Sequence, residues 1–342
     1  MSVEVLGISV LWLFLFGYVI IASIDFGAGF FNAFTIVTRK NHIVNSVIQR
    51  YLSPVWEITN VFLIFFFVGM IGFFPKTAYY YGTVLLIPIS ISIILLVLRG
   101  SYYAFGTYGS KGKVHIGYTL MYGVTGILIP ASLSTAFIVS QGGFIIETAS
   151  GGILLDYWAL FTSPFAWSIV VLSLVSVLFI SSSFLAYYSS VAEDNKALAL
   201  FRRYTLFWSF PAILTAMGII IEMRWHNESH FEGILSLWWV FALSTVCFLL
   251  SLGLLIKRRY GWSFIFIVLQ FAFAFYAYGL SRYPYLLYPY LTIHDGFTNK
   301  TMAYSLVVVF ILGLLLLIPS LYLVFKLFIM NKPYIKKGGG YE

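Results

Sequence analysis

The sequence predicts an all-α, polytopic membrane protein with nine transmembrane helices. Of its 342 residues, 61% are hydrophobic and only 9% are charged, whereas a soluble globular protein carries about 25% charged residues. So few charges cannot cover a water-facing surface, which excludes a soluble fold of this length. Aromatic residues make up 20% of the chain, and they suit the two membrane interfaces, where Trp and Tyr concentrate.

Nine stretches are long and apolar enough to cross a bilayer, which requires about 20 mostly apolar residues. Their continuous hydrophobicity indicates helices, because barrel strands would be about ten residues long with alternating polarity. We expect a single integral membrane domain over 1–342, with one four-helix bundle at about 1–140, another at about 161–280 and a ninth helix at about 302–330. The predicted spans are Val5–Val37, Pro54–Phe74, Ala78–Leu98, Ile116–Val139, Phe161–Ser190, Tyr204–Ile221, Ile234–Ile256, Trp262–Leu280 and Met302–Met330.

The basic residues predict the orientation of these spans. Sixteen of the 20 Lys and Arg residues fall in one alternating set of connections and at the C-terminal end, and the other four fall in the opposite set. By the positive-inside rule the N-terminus is then outside and the C-terminus is cytoplasmic. The same bias accounts for the net charge of +8, so no nucleic-acid partner is needed to explain it. The first 38 residues contain no Lys or Arg, so we expect the first segment to remain as a helix rather than act as a cleavable signal.

Asp25 is the only charged residue between Val5 and Val37. As a helix this stretch would be about 50 Å long, and the hydrocarbon core is only about 30 Å thick, so Asp25 should lie in the cytoplasmic part of the membrane. It either faces cytoplasmic water at the interface or acts as a proton-accepting carboxylate inside a bundle, because ionisable groups within spans are usually functional. Gly27 and Gly29 follow it and permit close helix packing.

A second acid, Glu57, lies one turn into the second predicted span. Trp56 and Asn60 share a helix face next to it, at i,i+4 spacing. Glu57 is either an acid favoured by the positive end of the helix dipole or, with Asp25 at similar depth, part of the cytoplasmic mouth of a proton route. Arg99 closes the third span, where it either snorkels to lipid head groups or pairs with Asp25 or Glu57.

The five histidines lie in connections or at helix ends, whereas a membrane haem normally needs an axial ligand inside a bundle. His226 and His230 have i,i+4 spacing, but without an HExxH pattern they form only a weak metal-site candidate, and we expect them to be solvated. Phosphate-binding glycine loops, CxxC pairs and Ser/His/Asp motifs are absent from the sequence. We therefore expect no catalytic, cofactor-binding or metal-ligating residue in this chain.

Several segments of the chain carry a family resemblance. They are Leu11-Trp12 through Gly17-Tyr18 to Ile24-Asp25-Phe26-Gly27-Ala28-Gly29, then Pro54-Val55-Trp56-Glu57-Ile58-Thr59-Asn60, Leu98-Arg99-Gly100, and Tyr283-Pro284-Tyr285 with Tyr288-Pro289. These segments resemble the motifs of subunit II of the cytochrome bd-type quinol oxidases, and the resemblance covers the whole chain. Two departures indicate a divergent branch: Glu57 stands where the family has Asp, and Val61 stands where it has a second acid.

The resemblance implies a complex in a bacterial cell membrane that oxidises quinol, either ubiquinol or menaquinol, and reduces dioxygen to water. Two b-type haems and one d-type haem would lie in the partner, subunit I, and none in this chain. The two subunits would form a heterodimer among membrane lipids, with room for a small single-helix third subunit. This chain would support subunit I and supply a cytoplasmic proton route through Asp25, with Glu57 near the entrance and with Trp56, Asn60 and Arg99 in support.

Two alternatives share the same membrane carboxylates. One is a proton-coupled secondary transporter, although both acids lie toward one side of the membrane rather than at its midplane, where transporter sites usually lie. The other is an assembly subunit with no proton role. Replacing Asp25 separates this second alternative from the proton route.

Overall fold

The fold is a set of long helices with two short hairpins at one end. The computed structural model describes residues 2–40, 48, 60–108, 113–148, 152–324 and 326–327. The helices in this part of the chain are α1 (Val3–Val37), α2 (Asn60–Phe73), α3 (Pro75–Val84), α4 (Leu86–Tyr108), α5 (Lys113–Leu133), α6 (Thr135–Val139), α7 (Tyr157–Thr162), α8 (Pro164–Val191), α9 (Asn195–His226), α10 (Glu228–Ser236), α11 (Trp238–Ile256), α12 (Tyr260–Ser281) and α13 (Lys300–Val324).

Most of these helices are long and apolar enough to cross a membrane. Within the described residues, seven helical segments meet that requirement singly, and α2 with α3 forms an eighth candidate that bends by 120°. The chain is therefore an α-helical, polytopic membrane protein, as its composition predicts. The count of nine spans and their division into two bundles stay predictions.

The third predicted span, Ala78–Leu98, is not a single helix. The structure divides it at Leu85, where α3 ends and α4 begins. Pro88 gives the physical reason, because a proline ring clashes with the carbonyl group four residues earlier and has no N–H to donate. Restarting the helix at Leu86 places Pro88 in a first turn, where proline is tolerated.

The seventh predicted span, Ile234–Ile256, is also divided. Its first residues belong to α10, which begins at the cap residue Asn227, whose Oδ1 accepts a hydrogen bond from the His230 N–H at 3.1 Å. That cap begins α10, and the break between α10 and α11 lies at Leu237, so only Trp238–Ile256 remains as the membrane-spanning part.

Helix α1 is the element around which the others pack. It lies along α5 and α8 and also contacts α12 and α13. Apolar side chains from its length, among them Leu11, Phe14, Ile24 and Phe31, are buried in the hydrophobic core. Residues 22–29 of α1 are all buried, so a polar residue in this stretch is surrounded by protein rather than by lipid.

The two hairpins lie together at one end of the helices. Their strands are β1 (Ile145–Glu147) with β2 (Ile153–Leu155), and β3 (Tyr285–Leu287) with β4 (Leu291–Thr292), each pair antiparallel. They belong to the connection between the fourth and fifth predicted spans and to that between the eighth and ninth. These connections meet where the Tyr288 N–H donates a hydrogen bond to the Ser140 carbonyl at 3.2 Å.

The contact between α1 and α5 leads to a first prediction. A Cβ atom at Gly126 of α5 would overlap the backbone carbonyl of Phe26 on α1. We expect Gly126→Ala to lower the free energy of unfolding by about 1–3 kcal/mol, the usual cost of overpacking. Thermal unfolding of the purified protein measures this change.

The matched control is Gly117→Ala on the same helix, because a Cβ atom there would meet nothing within 4 Å. Alanine has a higher helix propensity than glycine by about 1 kcal/mol, so this variant should be as stable as the wild type or more so. Equal destabilisation by both substitutions would contradict a close helix contact at Gly126.

Candidate functional site

Asp25 lies on α1 inside the protein, with 2% of its surface exposed. Its Oδ2 atom accepts a hydrogen bond from Nε of Arg99 at 2.9 Å, and the two residues form a salt bridge. Its Oδ1 atom accepts a hydrogen bond from the Tyr122 hydroxyl at 2.6 Å. Both carboxylate oxygens are bound by groups of this chain, so Asp25 does not face cytoplasmic water as the interfacial interpretation required.

Arg99 belongs to α4 and has no exposed surface. Its Nη2 atom donates to the carbonyl oxygen of Asp25 at 2.7 Å, and its Nη1 atom donates to that of Tyr122 at 2.8 Å. The guanidinium carbon lies 3.5 Å from the centre of the Tyr122 ring and 5.1 Å from that of Phe26, which is cation–π geometry. Snorkelling is therefore the wrong interpretation of Arg99, and Asp25 is the partner that it contacts.

The positive charge of Arg99 is held by more than the carboxylate. Two backbone carbonyls and two aromatic rings also contact the guanidinium group. A buried charge that loses its partner is costly, and these contacts reduce that cost. Arg99 is therefore tied to α1 and α5 by more than its salt bridge with Asp25.

Close helix packing brings these groups together. A Cβ atom at Gly29 would lie 2.7 Å from the Tyr122 ring on α5, and a Cβ atom at Gly27 would overlap Ser181 on α8. The Ser181 hydroxyl donates a hydrogen bond to the Ile24 carbonyl at 3.0 Å. The two glycines that the sequence marks for close packing thus lie where a larger residue would not fit.

Two of the remaining predicted site residues, Glu57 and Trp56, lie outside the described residues. Asn60 is half-buried and is the first described residue of α2. Tyr122 completes the cluster, but the sequence does not single it out because it is one of 25 tyrosines. The glycine that follows it was the available signal, since small residues mark closely packed membrane helices.

A second buried polar cluster surrounds His230 at the end that carries the hairpins. His230 is only 4% exposed, and its Nδ1 and Nε2 atoms lie 2.7 Å from Oε1 of Gln141 and 2.7 Å from the Ser281 hydroxyl. The Asn227 amide donates to the Gln141 carbonyl at 3.1 Å. The expectation that His230 is solvated is wrong, because α10 packs against α12 and covers it.

This environment keeps His230 uncharged. Burial, together with the nearby Arg282 cation, lowers the pKa of His230 to about 3. The neighbouring His226 instead stacks on the Phe165 ring, with the two ring centres 4.3 Å apart. Among the described residues, no group of three or more His, Cys, Asp or Glu side chains is placed to hold a metal ion.

The chain is similar to known proteins in three kinds of comparison. A family model described as cytochrome bd terminal oxidase subunit II matches residues 3–328. A protein of Bacillus subtilis (strain 168) named "Putative cytochrome bd menaquinol oxidase subunit II" is 33% identical over 346 residues, which is 97% of this chain and 97% of that protein. A chain in the structure of bd oxidase from Geobacillus thermodenitrificans is 58% identical, with a TM-score of 0.84, over 97% of this chain and 100% of that chain.

Removing one member of the ion pair should destabilise the protein. We expect Arg99→Gln to lower the free energy of unfolding by about 3–5 kcal/mol, the usual cost of stranding one buried charge. Asp25→Asn should cost less, because Arg99 keeps its carbonyl and ring contacts. In the double variant the free energy of unfolding should fall by less than the sum of the two single decreases, as thermal unfolding measures. Strict additivity would contradict an energetic coupling between the two residues.

His230 should make stability depend on pH. The folded protein holds the pKa of His230 at about 3, while an unfolded chain has a value of about 6.5. The unfolded state therefore binds the proton first, and the free energy of unfolding falls as the pH drops below about 6.5, by up to about 1.4 kcal/mol per pH unit. His230→Gln should remove this loss, which thermal unfolding between about pH 7 and pH 5 measures. The same pH dependence of the free energy of unfolding in wild type and His230→Gln would contradict this prediction.

Proposed function

This chain belongs to the family of cytochrome bd terminal oxidase subunit II, and we propose that within its complex it carries protons from the cytoplasm through Asp25 toward the haem-bearing subunit I. The complex is a quinol oxidase, which couples the oxidation of quinol to the reduction of dioxygen to water. The protons that form this water must come from one side of the membrane. A buried carboxylate provides a site that can bind each proton transiently during its transfer.

One observation carries this proposal: the Asp25 carboxylate is almost fully buried in a membrane helix and forms a salt bridge with an equally buried arginine. Replacing a buried ion pair by apolar residues is often neutral or stabilising, so stability alone gives little reason to keep one. Ionisable residues inside membrane proteins are usually functional. The pair is therefore better explained by proton handling than by structural support.

The contacts of Asp25 suit repeated proton uptake and release. An arriving proton binds the carboxylate and neutralises it, while Arg99 stays in contact with the carbonyls of Asp25 and Tyr122. Release of the proton restores the salt bridge with Arg99. Tyr122, whose hydroxyl contacts Oδ1, keeps the carboxylate in one orientation through both steps.

The haems belong to subunit I in this proposal. Two b-type haems and one d-type haem there would supply the electron transfer and the dioxygen chemistry. This chain would bind no haem and would add a supporting helix surface and the proton route. A small single-helix third subunit is compatible with this assembly.

The proposed topology has nine spans, with the N-terminus outside and the C-terminus in the cytoplasm. The basic residues support the orientation, and nine spans result if α2 and α4 each cross the membrane in addition to the seven helical segments that qualify singly. Packing of α5 against α1 and α4, of α8 against α9, and of α12 against α8 and α11 supports two bundles.

Menaquinol is the quinol that we propose for the complex. The support is the name of the Bacillus subtilis relative, which describes a menaquinol oxidase subunit. Oxygen consumption by the purified complex with soluble menaquinol and ubiquinol analogues tests this assignment. Faster turnover with the ubiquinol analogue would contradict it.

The proton route predicts a specific defect in Asp25→Asn. The asparagine keeps the size and hydrogen bonds of a protonated carboxyl group but cannot release a proton. Quinol-dependent oxygen consumption by the complex should fall about ten-fold or more, in line with the loss of a proton-transferring group, while the haem absorption spectrum stays normal.

Glu147→Gln is the control, because it removes an exposed carboxylate on β1 and should leave turnover unchanged. Wild-type turnover and proton uptake in Asp25→Asn would leave an assembly subunit without a proton role. Loss of the haem spectrum would likewise show that Asp25 acts on assembly rather than on proton transfer.

A further inference from the structure

Three polar side chains lie on one face of α1 at intervals of seven residues. They are Tyr18, Asp25 and Asn32, and they are 4%, 2% and 1% exposed. Seven residues are close to two helical turns, so each side chain lies about 10 Å beyond the last on the same side of the helix. Tyr18 and Asn32 take no part in the ion pair.

Asn32 is the most unusual of the three. Among the described residues, neither its amide nitrogen nor its amide oxygen has a hydrogen-bond partner, and the same holds for the Tyr18 hydroxyl. The Thr35 hydroxyl donates to the backbone carbonyl of Asn32 at 2.9 Å, so this hydrogen bond does not involve the Asn32 amide group. A buried polar side chain without a partner calls for an explanation other than packing, since an apolar side chain would fill the space without the desolvation cost.

The hydrogen-bonding capacity of the Asn32 amide indicates which molecule could bind to it. An amide both donates and accepts hydrogen bonds, and a hydroxyl does the same. A small neutral molecule with the same double capacity is water, and buried water typically satisfies otherwise unpaired polar groups. The position of Asn32, about two turns from a carboxylate on the same face, puts such water on a line toward Asp25.

We propose that Asn32 and Tyr18 bind water on either side of Asp25 and so extend the proton route along one face of α1. This inference rests on the proposed proton route through Asp25. In the proposed orientation Asn32 lies on the cytoplasmic side and Tyr18 on the other. Asn32 is a positioning residue: a proton joins the water that it orients, a different proton leaves that water for the next water toward Asp25, about 10 Å along the helix, and the amide is unchanged.

The experiment compares the complex carrying Asn32→Leu with wild type. Leucine branches at Cγ as asparagine does but cannot hydrogen-bond water, so turnover and proton uptake from the cytoplasmic side should fall about ten-fold. Thermal stability should change little, because removal of an unpaired buried amide offsets the larger side chain. Asn32→Asp keeps nearly the same size and in its neutral form both donates and accepts hydrogen bonds, so it should restore turnover to within about two-fold of wild type.

Ser183→Ala is the matched control. Ser183 is also 1% exposed, and its hydroxyl likewise lacks a hydrogen-bond partner among the described residues. It lies two residues beyond Ser181, which contacts α1, and a two-residue step of about 200° turns its side chain away from α1. Its replacement should leave turnover unchanged.

A direct measurement of water accompanies the kinetics. Hydroxyl-radical footprinting labels tyrosines that have water beside them, and Tyr283, at 55% exposed, serves as the reference. We expect labelling of Tyr18 and Tyr122 in the wild-type complex, and less labelling of Tyr122 in Asn32→Leu but not in Ser183→Ala.

The outcomes separate this inference from the proposed function. Slow turnover in Asp25→Asn with normal turnover in Asn32→Leu overturns the inference and leaves the Asp25 route standing. Normal turnover in both variants overturns both. Slow turnover in Asn32→Leu that Asn32→Asp does not restore, or absence of label on Tyr18 and Tyr122 in wild type, also overturns the inference.

Discussion

The ion pair between Asp25 and Arg99 requires further polar contacts from the helices around it. Two opposite charges are removed from water inside a membrane protein, where desolvation costs more than the attraction alone returns unless further polar contacts are present. The structure supplies them through the Tyr122 hydroxyl and two backbone carbonyls. Those contacts require α1, α4 and α5 to meet at one point, and glycines at 29 and 126 leave the space for it.

The same contacts link the fold to the proposed function. Two backbone carbonyls and two aromatic rings contact Arg99 in addition to the Asp25 carboxylate. Such contacts lower the cost of leaving a buried cation without its partner, which the proposed proton route requires whenever Asp25 carries a proton. The packing of α5 against α1 and α4 brings these groups together.

The composition and the isolated charges could be interpreted from the sequence alone. Contacts between residues that are distant along the chain could not be predicted from it. The membrane class follows from the scarcity of charge, and Asp25 stands out because it is alone in a long apolar stretch. The burial of Arg99 could not be predicted, because an arginine at a helix end is equally typical of snorkelling. His230 is covered by α12, which lies far away along the chain. The helix break before Pro88 could have been predicted from the proline. The continuous hydrophobicity of this stretch instead favoured a single helix.

In the proposed route, protons consumed in the reduction of dioxygen pass through Asp25. The most direct test is a single turnover: the fully reduced complex is mixed with dioxygen while a pH-sensitive dye records proton uptake and the haem absorbance records electron transfer. In Asp25→Asn, proton uptake should slow about ten-fold or more, and the haem oxidation steps that need a proton should slow with it. Uptake at the wild-type rate in a variant with intact haems would contradict the claim.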